Sequence, residues 1–315
     1  MGVIKLKNKR VSIALATYNG GQFIIPLLDS LRKQTYPIDE VIICDDDSQD
    51  HTVDKILEFM HRYQLNHWKV FVNKENLGYK RNFKEVLKKV SGDYVFLCDQ
   101  DDVWDIHKVE NIMNIFIKIP NAKCINTSYQ CINEKGENID SYSFMKQNLE
   151  ENEIMNIPFE DILISNISMG CTMAVKKEIK DLYLYYTNSM AAHDWELNCI
   201  ASLNQGLYYY NRPLIRHRLV EHKSNEVHSD NLKKMERKKK CLETDCLLNS
   251  LHVYDEYLST DHLDYLNECI SFSRLRVLLL SDHQTKNWLE LMKHFSLYRK
   301  YVSTQGIFYD LISSL

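Results

Sequence analysis

Five short clusters hold the polar side chains from which chemistry could be built. Asp99-Gln100-Asp101-Asp102 directly follows the apolar run Val95-Phe96-Leu97-Cys98. Carboxylates at i and i+2 on a turn can supply a ligand for Mg²⁺ or Mn²⁺ and a contact to a ribose. A cation there would lower the cost of a departing diphosphate. The like charges also repel one another unless a cation is present. Read as a solvated loop, the same stretch would leave Asp105 to cap a following helix. Asp45-Asp46-Asp47 again follows a strand-like run, and a carboxylate there could accept a hydrogen bond from a pyrimidine N3–H. Ser48, Asp50 or Thr52 could equally cap a helix. Thr17-Tyr18-Asn19-Gly20-Gly21 could let backbone and hydroxyl groups approach a nucleotide closely, although it matches neither common glycine-rich phosphate motif. His193-Asp194-Trp195 places a carboxylate beside a large aromatic, which can raise its pKa toward that of a general base; the alternative is an N-cap Asp with a core Trp. Arg218, His222 and Asn225 could hold a pyrophosphate or a metal, or form an ordinary polar loop.

The elements that must position these clusters can be read from periodicity. Val11–Ala16, Glu40–Cys44, Trp68–Val72 and Asp93–Cys98 are predicted strands. Between them, Ile24, Leu27, Leu28 and Leu31, then Ile56, Phe59, Met60 and Tyr63, then Phe83, Val86, Leu87 and Val90 fall at helical spacing. Pro26 fits only the first turn of its helix. This alternation predicts an α/β fold with a mainly parallel sheet and right-handed crossovers. Ligands of such sheets gather at the carboxyl ends of the strands, where Thr17, Asp45 and Asp99 fall. Further strands are predicted at 122–132, 171–175 and 207–210, and a helix at 195–203. From about residue 226 the chain has no Pro and a single Gly, and reads as several helices. Its run Lys233–Lys240 holds six Lys or Arg.

Composition narrows the class. The 315 residues carry a net charge of −4, which gives no reason to expect a nucleic-acid partner. Nine scattered cysteines, with no CxxC pair, read as small buried hydrophobes in a reducing compartment. The opening MGVIKLKNKR lacks the apolar stretch of a signal peptide, and no run reaches the ~18 apolar residues of a membrane span. The chain is expected to be cytoplasmic, soluble or peripheral.

The five clusters in this order resemble a family 2 glycosyltransferase of the A-type fold. The stretch SIALATYNGGQFIIPLLDSLRKQTYPIDEVIICDDDSQDHT is very similar to that family's opening, and NLGYKRNF and GDYVFLCDQDDVW extend the match. DQDDVW followed by Lys108, with ISMGCTMAV and AAHDWEL, resembles the rhamnosyltransferase-like branch that builds bacterial surface polysaccharides. The resemblance implies a Rossmann-like catalytic domain over 1–225 (nucleotide part about 10–120, acceptor part about 121–225) and a helical region over 226–315. It implies that Thr17, Tyr18, Asn19, Asp45, Asp46, Arg81, Asp99 and Gln100 serve the nucleotide, and that Asp101, Asp102 and His222 serve a divalent cation, Mn²⁺ or Mg²⁺. It implies Asp194 as the base, with Gly170, Cys171, His193, Trp195, Arg218 and Asn225 around the sugar and acceptor. Arg218 stands four residues before His222, where the family usually places an Arg two before.

The expected reaction is inverting transfer of a sugar, rhamnose by the branch, from a dTDP- or UDP-sugar to a hydroxyl of a glycan or lipid-linked acceptor. Two other readings share parts of this pattern. A sugar nucleotidyltransferase would also need metal-binding carboxylates, but would carry a basic phosphate loop where Thr17–Gln22 has no Lys or Arg. An inactive sugar-binding scaffold could keep the fold alone. The basic helical tail is expected either to touch the inner face of the plasma membrane or to present a solvated or oligomer-forming face.

Overall fold

A computed structural model describes residues 9–140, 149–186, 192–203, 205–220, 230–282, 285–302, 306–307 and 310. The chain forms two compact units: Met1–Ile157 with Ile167–Tyr185 and Ala192–His222, and Pro158–Asn166 with Tyr186–Ala191 and Lys223–Leu315.

In the first unit, elements alternate along the chain. Strand β1 (Val11–Thr17) leads to helix α1 (Ile24–Arg32), β2 (Glu40–Asp45) to α2 (Thr52–Arg62), and β3 (Trp68–Val72) to α3 (Tyr79–Lys89). Then come β4 (Tyr94–Asp99), the two-residue β5 (Val103–Trp104), α4 (Lys108–Lys118), β6 (Cys124–Ile132) and β7 (Ile154–Asn156). After the short α5 (Phe159–Ile162), which belongs to the second unit, follow β8 (Ala174–Lys176), α6 (Lys177–Tyr186), α7 (His193–Ser202) and β9 (Leu207–Arg218). Pro26 lies in the first turn of α1, where its missing N–H costs nothing. Strands β1, β2 and β4 are buried almost throughout, as strands covered on both faces must be. Helices α1 and α4 close over them with Ile24, Leu27, Leu28 and Leu31, and with Val109, Ile112, Met113 and Phe116.

The sheet has nine strands in the order β3-β2-β1-β4-β8-β6-β9-β5, with β7 also on β9. The expectation of a mainly parallel sheet is corrected here. The three pairings among β1 to β4 are parallel, but β4·β8, β6·β8, β5·β9 and β7·β9 are all antiparallel, and beyond β4 only β6·β9 is parallel. Alternation with helices forces parallel strands only where a helix makes the crossover. The antiparallel partners are two- or three-residue strands fed by turns, and their direction leaves no periodic trace.

This mixture still aligns the ends that matter. Because β8 reverses between β4 and β6, strands β6 and β9 run in the same direction as β1, β2 and β4. The carboxyl end of β9 therefore reaches the same sheet edge as Thr17, Asp45 and Asp99. Strand β9 runs to Arg218 rather than stopping at Tyr210, because Pro213 falls at an irregularity opposite Ser128, where the missing N–H is tolerated.

The second unit is helical: α8 (Asp230–Ser250), α9 (Thr260–Asp282), α10 (Thr285–Leu291) and α11 (Phe295–Tyr301) join α5. Leu247, Leu251, Tyr254, Leu266, Phe272 and Tyr298 are buried in it. Among the described residues no helix is long and apolar enough to cross a membrane. Eight cysteines are buried free thiols and Cys246 is exposed.

Candidate active site

A cleft of about 650 Å³ opens at the shared edge of the first unit. Its walls come from the loops after β1, β2 and β4, the start of α3, the segment before β8, the start of α7 and the end of β9.

The β1 and β2 loops are tied together by their own side chains. Asp45 is fully buried and accepts from Thr17 Oγ1 at 2.7 Å, Ser48 N at 2.8 Å and Ser48 Oγ at 2.6 Å. Asp46 is equally buried. Its Oδ1 accepts from Asn73 Nδ2 at 2.8 Å and Leu77 N at 2.9 Å, and its Oδ2 from Gly78 N at 2.8 Å. Asn82, on α3, accepts from Asn73 and donates to the carbonyls of Thr17 and Cys44, bracing the ends of two strands. Asp50 accepts from the backbone N–H of Gly21 and of Thr52, at the start of α2. Gln100 crosses from the β4 loop, accepting from Tyr18 N at 2.7 Å and donating to Tyr18 O at 2.8 Å. A Cβ at Gly20 would lie 2.2 Å from Gln100 Oε1, so a side chain there would push Gln100 away from Tyr18.

The β4 loop is electrostatically different. Strand β4 ends at Asp99 and β5 begins at Val103, so both ends of the turn are held in the sheet. Pairing of Val103 with Arg216 brings His217 beside Asp102, 115 residues away in sequence. Asp102 is fully buried. Its Oδ1 meets His217 Nδ1 at 2.8 Å and Arg218 N at 3.3 Å, and its Oδ2 has no hydrogen-bond partner among the described residues. Burial, then the neighbouring Asp102 and Asp101, push Asp99 up to about 7. Asp101 is raised as well, by burial and by Asp102. For His217, burial works toward a lower pKa but the hydrogen bond to Asp102 outweighs it, and the imidazole is raised. Lys108 lies beneath, fully buried, donating to the Cys171 carbonyl at 2.6 Å with its ammonium 3.6 Å from the Trp104 ring centroid. Burial lowers it to about 8.

These features fit a cation. Asp99 and Asp101 are both raised by burial and by Asp102 beside them, and a buried oxygen of Asp102 lacks a donor among the described residues. Asp102, Cys171 and His217 offer ligand atoms within 4.8 Å of one another. Burial holds the Cys171 thiol far above its ordinary pKa, so it stays protonated. An oxygen-preferring ion would therefore draw on the carboxylates, of which Asp99 and Asp101 line the cleft.

Across the cleft, Asp194 is in the first turn of α7, its Oδ1 accepting from the N–H of Trp195. His193 is buried and stacks on Phe83 with ring centroids 4.0 Å apart; neither ring nitrogen has a partner among the described residues, and burial lowers its pKa. Gly170 faces it, where a Cβ would lie 2.9 Å from His193 Nε2.

Of the residues singled out in the sequence, Thr17, Tyr18, Asp46, Asp99, Gln100, Asp101, Gly170, His193 and Asp194 line this one cleft. Asn19 supports the loop from outside the lining, in the left-handed region at φ 48°. Asp45, Asp102 and Cys171 are buried and outside the lining, and Trp195 is buried. Arg81 is exposed on α3, outside the cleft lining. Arg218 is also outside it, donating to the carbonyls of Asp101, Asn133 and Glu134 and lying over Phe23. His222 and Asn225 lie outside the described residues. Sequence reasoning did not assign His217, Asn73, Asn82 or Phe83, and Lys108 entered it only as the basic residue after DQDDVW.

The family model for "Glycosyl transferase family 2" matches residues 12–182. The chain is 33% identical over 123 residues to the UDP-Glc:alpha-D-GlcNAc-diphosphoundecaprenol beta-1,3-glucosyltransferase WfgD of Escherichia coli, an alignment covering 39% of this chain and 47% of that protein. It is 29% identical over 225 residues to the dTDP-rhamnosyl transferase RfbG of Shigella flexneri, covering 68% of this chain and 73% of that one. Among solved structures, the fold resembles S. aureus TarS 1–349 in complex with UDP-GlcNAc, with a TM-score of 0.57, 18% identity, and 96% and 91% of the two chains covered.

Proposed function

Since the chain belongs to glycosyl transferase family 2, and is by that membership a glycosyltransferase, we propose that it moves a sugar from a nucleoside-diphospho-sugar to an acceptor hydroxyl with inversion at the anomeric carbon. The observation that carries this reading is the meeting of Asp46, the Asp99–Asp101 pair and Asp194 around one cleft. In it, Thr17, Tyr18 and Asp46 receive the nucleoside, Gln100 holds the two loops at fixed separation, and Asp194 takes the proton from the attacking hydroxyl. Asp101, with Asp99 and Asp102, would hold Mn²⁺ or Mg²⁺, which supplies charge neutralisation for the departing diphosphate. His222 would complete that set. His193 and Gly170 shape the sugar side. Holding both reactants in line supplies up to roughly 7–11 kcal/mol of the rate effect in the best intramolecular cases.

The donor class we favour is a dTDP- or UDP-sugar, with rhamnose first. Similarity to the Shigella flexneri relative over two thirds of the chain supports it, as does the DQDDVW motif. The E. coli relative's name specifies a diphosphoundecaprenol-linked acceptor, which supports a lipid-linked glycan acceptor at the cytoplasmic face of the membrane. On this reading residues 1–225 carry the chemistry and 226–315 the placement.

The test is incubation of the purified full chain with labelled nucleotide-sugars and Mn²⁺. Slow release of nucleoside diphosphate, abolished by EDTA, is the expected result. Release of inorganic pyrophosphate instead, or no turnover of any donor, overturns the reading. Asp194→Asn should leave donor binding intact and lower kcat by about 10²–10⁴; near-normal turnover removes Asp194 from the role.

A further inference from the structure

Behind the sugar side of the cleft, three polar side chains from distant parts of the chain are bonded in series. Asn126 is on β6, Asn198 on α7, and Ser168 in the segment that leads into Gly170; all three are buried. A side-chain amide has a donor end and an acceptor end, and Asn126 uses both. Its Nδ2 donates to Asn198 Oδ1 at 2.8 Å, and its Oδ1 accepts from Ser168 Oγ. Cys124, two residues earlier on the same face of β6, donates to that same Asn198 Oδ1 at 3.4 Å, its thiol kept protonated by burial.

The two partners of Asn126 belong to the two walls that meet beside Asp194. Asn198 is one helical turn after Asp194, so both lie on one side of α7, and the bond to Asn198 fixes the rotation of that helix about its axis. Ser168 directly precedes Met169 and Gly170, which line the cleft. There the walls are close: a Cβ on Gly170 would lie 3.6 Å from Asp194 Cβ. The segment is gripped further along as well, by Thr127 Oγ1 donating to Thr172 O at 3.4 Å and by Lys108 Nζ donating to Cys171 O at 2.6 Å. A shift of either wall against β6 therefore breaks a buried polar bond, which is unfavourable where water cannot replace it.

We infer that Asn126 is a positioning residue for the transfer: it sets the separation of Asp194 from the Gly170 wall, and so the place where the attacking hydroxyl meets the base. The inference rests on the reading of Asp194 as that base. Asn126 is outside the cleft lining and touches no reacting atom; it acts through α7 and the segment before Gly170. The nucleoside side has its own brace in Asn82, which donates to the carbonyls of Thr17 and Cys44. Loss of Asn126 should therefore disturb turnover and spare nucleotide binding. A misplacement of about 1 Å can lower a rate by on the order of 10²-fold.

The experiment is a double-mutant cycle in the full chain with two readouts: hydrolysis of labelled nucleotide-sugar at saturating donor with Mn²⁺, and calorimetric affinity for UDP and dTDP. Asn126→Ala should lower turnover by roughly 10- to 100-fold and leave nucleotide affinity unchanged. Made in an Asp194→Asn background it should lower turnover no further, since a base that is missing cannot be misplaced. Ser168→Ala removes a single hydroxyl and should give a smaller loss of the same kind; it carries the cycle with Asp194→Asn if Asn126→Ala does not fold. Near-normal turnover by the folded variant, a parallel loss of nucleotide affinity, or full multiplication of the two losses in the double variant overturns the inference, the last being what a merely structural amide gives. Near-normal turnover by Asp194→Asn alone overturns the base assignment instead, and is told apart because Asn126→Ala is then the slower of the two proteins.

Discussion

Two acidic loops close the ends of β2 and β4, the parallel strands on either side of β1, and they are built on opposite principles. In the loop after β2, Asp45 and Asp46 are each held by three of the protein's own donors, from Thr17, Ser48, Asn73 and the amides of Leu77 and Gly78. In the loop after β4, Asp99 and Asp101 are pushed up by burial and by the adjoining Asp102, and one oxygen of Asp102 is left without a donor among the described residues. In sequence both are runs of Asp after an apolar strand. The difference teaches that charge density does not mark a cation site. What marks it is charge that the protein declines to neutralise.

The largest effect that tests this contrast is on catalysis. Asp101→Asn should lower transfer by about 10²–10³, the range for losing one electrostatic contributor, while the metal-free melting temperature holds or rises because a repelling charge is gone. A large loss of stability would mean that the two loops do the same job. Next in size, Asp45→Ala should destabilise the fold by about 2–4 kcal/mol, since Thr17 and Ser48 lose a buried charged acceptor; urea unfolding measures it, and a change below ~1 kcal/mol breaks the comparison from the other side. Smaller again, Mn²⁺ should raise the melting temperature of the wild type and of an Asp47→Asn control, but not of Asp101→Asn. The smallest effect is on pH dependence in EDTA. Asp99 ordinarily titrates at 3.8 and is raised to about 7, so the stability it contributes is present at low pH and lost as pH climbs through about 7. Lys108 ordinarily titrates at 10.5 and is lowered to about 8, so above about 8 the sign reverses and stability recovers. Urea titrations across this range should show a shallow minimum, and Asp99→Asn should remove its acidic limb.

Much of the N-terminal half was legible because its signals are local. Trp68–Val72 is a strand with the expected ends, and Ile24, Leu27, Leu28 and Leu31 form one buried helix face with Pro26 in the first turn. The direction of β5, β7 and β8 was not legible, since strands of two or three residues have no period to read. His217 was invisible for a related reason: its neighbour Asp102 is 115 residues away, and only sheet pairing brings them together. Arg218 drew the attention instead, yet its guanidinium holds backbone carbonyls. Lys108 entered only as the basic residue after DQDDVW, and its burial against the Cys171 carbonyl, 63 residues away, left no trace in the local sequence.

The irregularity at Pro213 sets a limit on how this chain can vary. His217 and Arg218 are consecutive in β9 and so face opposite sides of the sheet, one lining the cleft and one bonded to the carbonyls of Asn133 and Glu134. The slack in register between Ser128 and Pro213 fixes which of them faces which way. A single-residue deletion upstream of the pairing with β5 would exchange them, aiming a guanidinium at the cleft and an imidazole at the carbonyls. Between Thr127 and Gln130 the irregularities take up the difference in length of the two strands, so a change of length by one residue should be costly downstream of them, where β9 pairs with β5, and less so at the irregularities themselves.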